Sequence, residues 1–141
     1  MIEAPDGSMA SPDVERTRLA YAEIDAVADC FCPSCRNYRA AWNRNYFEPG
    51  LLAACARIGI DPAKSLEMSA LEFTNGVLSY MGQFPFFGEV TGDRPFKDRF
   101  YPWFFLPDAY GSARFAEGLV TIEFFVQVPW VLQEANPYAT P

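Results

Sequence analysis

Cys30, Cys32 and Cys35 place three thiols within six residues of a chain that contains no histidine. No other segment groups side chains of comparable chemical range. Clustered thiolates suit zinc, which takes four soft or borderline ligands in a tetrahedral array. Cys32 and Cys35 have the two-residue gap of a zinc knuckle, Cys30 adds a third sulfur, and Cys55 is the one cysteine left to complete a four-sulfur site. Thiol exchange is a second chemistry open to the same residues, because Cys32-Pro33-Ser34-Cys35 at a helix start sets the first thiol where the helix dipole favours thiolate. A third reading is structural. The cluster fills tight space where a strand turns into a helix, and Cys55, on an apolar helix face, is a small buried hydrophobe.

The remaining composition excludes more than it offers. Without histidine, triads built on Ser-His or Cys-His are ruled out, and acid–base work would fall to carboxylates such as Glu72, Glu89 and Glu123. No glycine-rich phosphate loop is present. Arg36, Arg39, Arg44 and Arg57 fall in a stretch whose one acid is Glu48, read here as a solvated helix face rather than an anion seat. The aromatic runs Phe84–Phe87 and Phe100–Phe105 cannot send every ring inward from a strand. Phe86, Phe87, Tyr101 and Trp103 are therefore candidates for a partner-binding patch, against the alternative that both strand faces are filled as core.

The elements that must position these groups follow from periodicity. Residues 1–12 mix Pro, Gly and Ser without pattern and are expected to form a flexible leader, leaving 13–141 as a single domain. From Arg18 to Asp29 helical and alternating spacings compete, with a lean toward a strand. Pro33 and Pro49 each suit a first helical turn, predicting helices over about 34–45 and from Pro49 to a stop at Gly59. Asn75-Gly76 predicts a primed-turn hairpin between Leu71-Glu72-Phe73 and Val77-Leu78-Ser79-Tyr80. Further strands are expected over Phe86–Thr91 and Phe100–Leu106, the latter at an edge or bulge because of Pro102. Val120, Ile122, Phe124, Val126 and Val128 alternate along a last strand. The fold class predicted is α+β, an antiparallel sheet of four or five strands packed on a short N-terminal helix hairpin.

Two local patterns resemble known proteins. Cys32-Pro33-Ser34-Cys35 resembles the active-site motif of thioredoxin-type oxidoreductases, although here the sheet signals follow the helices rather than opening with a βαβ unit. Cys30-x-Cys32-x-x-Cys35-x-Asn37-Tyr38, Gly59-Ile60-Asp61-Pro62, Tyr80-Met81-Gly82 and Pro129-Trp130-Val131-Leu132-x-Glu134-x-Asn136-Pro137-Tyr138 together resemble a group of small uncharacterised bacterial proteins. That resemblance spans most of the chain beyond residue 29, excepting roughly 94–118. It implies shared architecture and a shared cysteine segment, with no activity attached. Cys55 lies outside the resembling segments.

Eleven basic against eighteen acidic residues give a net charge of −7, which opposes attraction to nucleic acid and to anionic membranes and favours a basic protein partner. No apolar run is long enough for a signal peptide or membrane helix, so a cytoplasmic location is expected, where cysteines stay reduced or bind metal. The function expected is non-enzymatic: an acidic protein-binding module of inhibitor or immunity type, with no cofactor. The alternative is a zinc-binding or thiol-redox protein centred on Cys30, Cys32 and Cys35.

Overall fold

The computed structural model describes residues 1–24, 31–64, 67–91, 100–107 and 119–139. Its elements, in chain order, are β1 (Ile2–Glu3), β2 (Met9–Pro12), α1 (Val14–Glu23), α2 (Pro33–Ala41), a 3-10 turn (Arg44–Tyr46), α3 (Pro49–Ile58), β3 (Glu67–Thr74), β4 (Val77–Thr91), β5 (Trp103–Leu106) and β6 (Leu119–Pro129). The strands form one antiparallel sheet in the order β1-β2-β4-β6-β5, with β3 also paired to β4. The α+β class is as predicted. Among the described residues the sheet has six strands rather than four or five, and three helices accompany it rather than two.

The core is built on alternating burial along β6 and the first half of β4, with β4 buried on both faces from Gly82 to Phe87; the two strands pair along eleven positions from Val77↔Pro129 to Phe87↔Leu119. Val120, Ile122, Phe124, Val126 and Val128 are all buried, as their alternation predicts, and face the same side as Leu78, Tyr80, Phe84 and Phe86. Phe84 stacks on Phe124 with ring centroids 4.3 Å apart. Tyr38 from α2 meets Tyr80 edge-on at 5.3 Å, and Phe47 reaches Phe124 at 5.8 Å, so helices and sheet share one apolar interior. Each such ring removed from water contributes on the order of 1.5–3 kcal/mol.

Turn chemistry decides the register. Asn75 and Gly76 both have positive φ (54° and 81°), the primed geometry that matches strand twist, and Thr74 pairs directly with Val77. A bulge between Ala70 and Glu72 then leaves Leu71 projecting into solvent. The strand predicted separately at Phe86–Thr91 is the continuation of β4. Pro85 passes through a long strand because it lies where β3 pairing has ended at Gln83 and β2 pairing has not begun at Gly88.

The same gap explains α1, the element that the ambiguous spacing of residues 18–29 misassigned toward a strand. Tyr21 donates its hydroxyl to the Pro85 carbonyl at 2.8 Å, Thr17 Oγ1 accepts from the Phe87 N–H at 3.1 Å, and the Asp13 N–H donates to the Phe87 carbonyl at 2.8 Å. A polar helix thus satisfies a buried, unpaired strand edge. Thr17 and Tyr21 are its two buried residues, so it carries little hydrophobic signal. Residues 25–30 lie outside the described set.

Residues 1–12 correct another expectation: they are a hairpin in the sheet, not a leader. Ala10 is fully buried against Val90 across the β2–β4 ladder. Asp6 accepts from the Ser8 N–H at 2.9 Å, and Ser8 Oγ accepts from the Phe105 N–H on the far edge strand at 3.0 Å. The Pro-Gly-Ser content that reads as flexibility here builds a buried polar turn.

Both prolines open their helices as predicted. Glu48 caps α3 through Gly50 and Leu51, and Gly59 stops it with φ 94°. α2 ends at Ala41, short of Asn45, because the Asn43 side chain accepts from the Asn45 N–H at 2.9 Å and turns the chain into the 3-10 segment. Among the described residues no helix is long and apolar enough to cross a membrane.

Candidate functional site

The cysteines are distributed unequally. Cys32 is the N-cap of α2 and partly exposed, Cys35 lies buried one turn on, and Cys30 is outside the described residues. Cys32 Sγ approaches Ser34 Oγ at 3.2 Å. Cys55 belongs to the fully buried face of α3, where burial pushes its thiol up to about 12. Among the described residues no three His, Cys, Asp or Glu side chains are grouped to hold a metal ion.

What the cysteine segment demonstrably does is dock α2 against the end of β6. Asn37, fully buried, donates from Nδ2 to the Pro129 carbonyl at 3.0 Å and accepts at Oδ1 from the Val131 N–H at 2.8 Å. Its side-chain amide stands in for a strand neighbour along the outer edge of β6. Tyr80 hydroxyl donates to the Ser34 carbonyl at 2.7 Å, and burial pushes that phenol up to about 12. Outside, Arg36 pairs with Glu134 through two contacts, one of them 3.1 Å, which holds the Glu134 carboxyl below its ordinary value. The residues around Asn37 and those from Pro129 to Glu134 therefore meet in space as a structural joint.

The expected partner-binding patch is not where the sequence placed it. Phe86 and Trp103 belong to the core, Phe87 is buried beneath the Arg16 guanidinium 3.8 Å from its ring, and Tyr101 is half-buried. Trp103 donates from Nε1 to Glu48 Oε2 at 2.8 Å, locking the cap of α3 to the sheet. Core filling on both strand faces accounts for these rings. The carboxylates do not converge either: on β4, Glu72 is level with Ser79 and Glu123 with Gln83, so Glu89 is roughly 20–35 Å from both along the strand at about 3.3 Å per residue.

A site that the sequence did not single out lies further along the same edge of β6. A groove of about 780 Å³ is bordered by Tyr46, Phe47 and Glu48, by Leu71, and by Phe100 and Phe125. Glu72, Ser79 and Gln127 add polar groups to it. Three of its apolar walls are among the exposed large hydrophobics of the molecule, Phe100 at 78 %, Leu71 at 53 % and Tyr46 at 39 %. Phe100 is held by Phe125, with centroids 4.9 Å apart. Glu48 is fixed by its three donors, so its charge is presented without freedom to turn away. Leu71 reaches the groove because of the bulge, a feature that alternation alone does not announce.

Comparison with protein-family models, with curated proteins and with solved structures finds no match to this chain.

Proposed function

We propose that the chain is a non-enzymatic binding module that seats a basic, partly apolar segment of a partner protein in the groove at the edge of β6. The observation that carries this reading is the groove itself: three exposed apolar side chains, Tyr46, Leu71 and Phe100, stand around the carboxylates of Glu48 and Glu72. Exposed apolar surface ringed by polar groups is the chemistry of a docking site. The net charge of −7 adds long-range attraction for a cationic partner and speeds encounter at low salt. An inhibitor that covers a basic enzyme is the role this combination suits.

The test uses two peptide pools matched in length and apolar content, one bearing Lys and Arg, the other Asp and Glu. Binding is measured by interferometry to the wild-type chain and to a Leu71→Ser/Phe100→Ser double variant. The reading expects the basic pool to bind, salt to weaken it, and the double variant to lose it. Equal binding of the acidic pool, or undiminished binding by the variant, overturns it.

Thiol exchange at Cys32 and Cys35 is a second reading, favoured by Cys32 standing at the N-cap of α2 with the Arg36 charge near enough to sense it. Reduction of a small disulfide by the wild type but not by Cys32→Ser tests it. The four-sulfur zinc version gains nothing from Cys55, which packs into the core; metal content of the purified chain tests that version.

A further inference from the structure

Among the described residues, the groove borders an open stretch of the β6 edge. β5 pairs with β6 from Leu106↔Thr121 to Trp103↔Phe124, and the Phe125 N–H donates to the Pro102 carbonyl at 3.0 Å. There the ladder stops, because Pro102 has no N–H to return to the Phe125 carbonyl. Odd-numbered residues of β6 direct their backbone groups to this side, as the Phe125 bond shows, so the N–H and C=O of Gln127 point outward too. Two residues later the edge is occupied again, the Pro129 carbonyl being taken by Asn37. Among the described residues, then, the Phe125 carbonyl and both backbone groups of the exposed Gln127 form a gap between two capped positions.

The other sheet edges nearby are managed. α1 covers the gap in β4, Ser8 meets β5, and β3 is broken by its bulge. The gap in β6, by contrast, opens into the groove, whose walls lie on both faces of the sheet: Tyr46 and Phe47 on one, Phe100 and Phe125 on the other. An extended peptide laid along β6 would send alternate side chains to those two sides.

From this juxtaposition we infer that the partner binds by strand addition: an extended segment alternating Lys or Arg with apolar residues hydrogen-bonds to Gln127 and the Phe125 carbonyl along the edge of β6. The inference rests on the docking function proposed above. Charge selects the occupant, since Glu48 stands with Tyr46 and Phe47 on the side that would receive its cationic side chains. Main-chain bonds supply register, and the aromatic walls supply the apolar contact.

The experiment takes a short, soluble peptide alternating lysine and valine, and the same peptide with its central amide N-methylated. Amide shifts of the isotopically labelled chain are followed during titration. Strand addition expects the Gln127 amide to move downfield on binding and N-methylation to weaken affinity about tenfold, the loss of one hydrogen bond at the upper end of its net worth. Gln127→Pro, which removes the outward N–H without touching the β4–β6 ladder, should weaken the parent peptide similarly. If both peptides bind equally while Tyr46 and Phe100 shift, strand addition is wrong and the docking groove stands. If neither peptide shifts any groove residue, the docking function falls with it.

Discussion

Asn37→Ala is the substitution from which the joint between α2 and β6 predicts most. Asn37 is fully buried, and its amide makes two bonds of good length, to the Pro129 carbonyl at 3.0 Å and from the Val131 N–H at 2.8 Å, with a longer approach to Tyr80 at 3.4 Å. Alanine leaves a donor and an acceptor unsatisfied at a partly buried strand end and opens a cavity of about three heavy atoms. At roughly 1 kcal/mol or more for each orphaned group, plus the cavity, the cost is about 2–4 kcal/mol. For a domain of this size that lowers Tm by about 6–15 °C. Urea unfolding followed by tryptophan fluorescence should show a lower midpoint with an unchanged slope. Removing the exposed neighbour instead, by Glu134→Ala, should be nearly silent, because a solvent-screened pair contributes little. An Asn37→Ala protein as stable as wild type would refute the assignment of Asn37 as the clamp.

Other consequences are independent of that joint. Gly82→Ala should cost about 1–3 kcal/mol in a denaturant titration, since the added methyl would meet Met68 Sδ at 2.5 Å and the buried Phe124 ring at 2.6 Å. Tyr21→Phe should cost about 1–2 kcal/mol by orphaning the Pro85 carbonyl beneath α1. Burial raises Cys55 from an ordinary 9.0, and Tyr80 from 10.0, each to about 12. The stability from keeping these groups neutral is complete below pH 9 and is lost as pH climbs toward 12, so alkaline unfolding should begin above pH 9. Below pH 9 native Cys55 should resist maleimide that labels it once urea is added.

How far the sequence reveals this fold depends on where its determinants sit. The Asn75-Gly76 hairpin, the two proline-opened helices, the Gly59 stop and the β6 alternation are local chemistry, and they are read correctly. α1 and the β1–β2 hairpin escape because their stabilisation is non-local. Tyr21, Thr17 and Asp13 answer a carbonyl and backbone groups more than sixty residues away on β4, and Ser8 answers Phe105. A polar helix and a Pro-Gly-Ser turn have no periodic signal of their own to offer. The groove is hidden for a similar reason, being made by a bulge at Leu71 and by a strand that stops at Pro102. Pro102 was the one readable hint, as an edge marker. Phe86 and Trp103 misled because runs of aromatic residues do not distinguish a surface patch from a core filled on both faces.

The central claim is that a basic segment docks in the groove bordered by Tyr46, Glu48, Leu71, Glu72 and Phe100. The most direct measurement is the affinity of the lysine–valine peptide for the wild-type chain and for Leu71→Ser/Phe100→Ser, taken across a salt series with folding verified by circular dichroism. The account predicts binding by the wild type that weakens as salt shortens the Debye length, and a loss of at least about tenfold in the folded variant. Binding that is unaffected by salt and equal in the two proteins would contradict it.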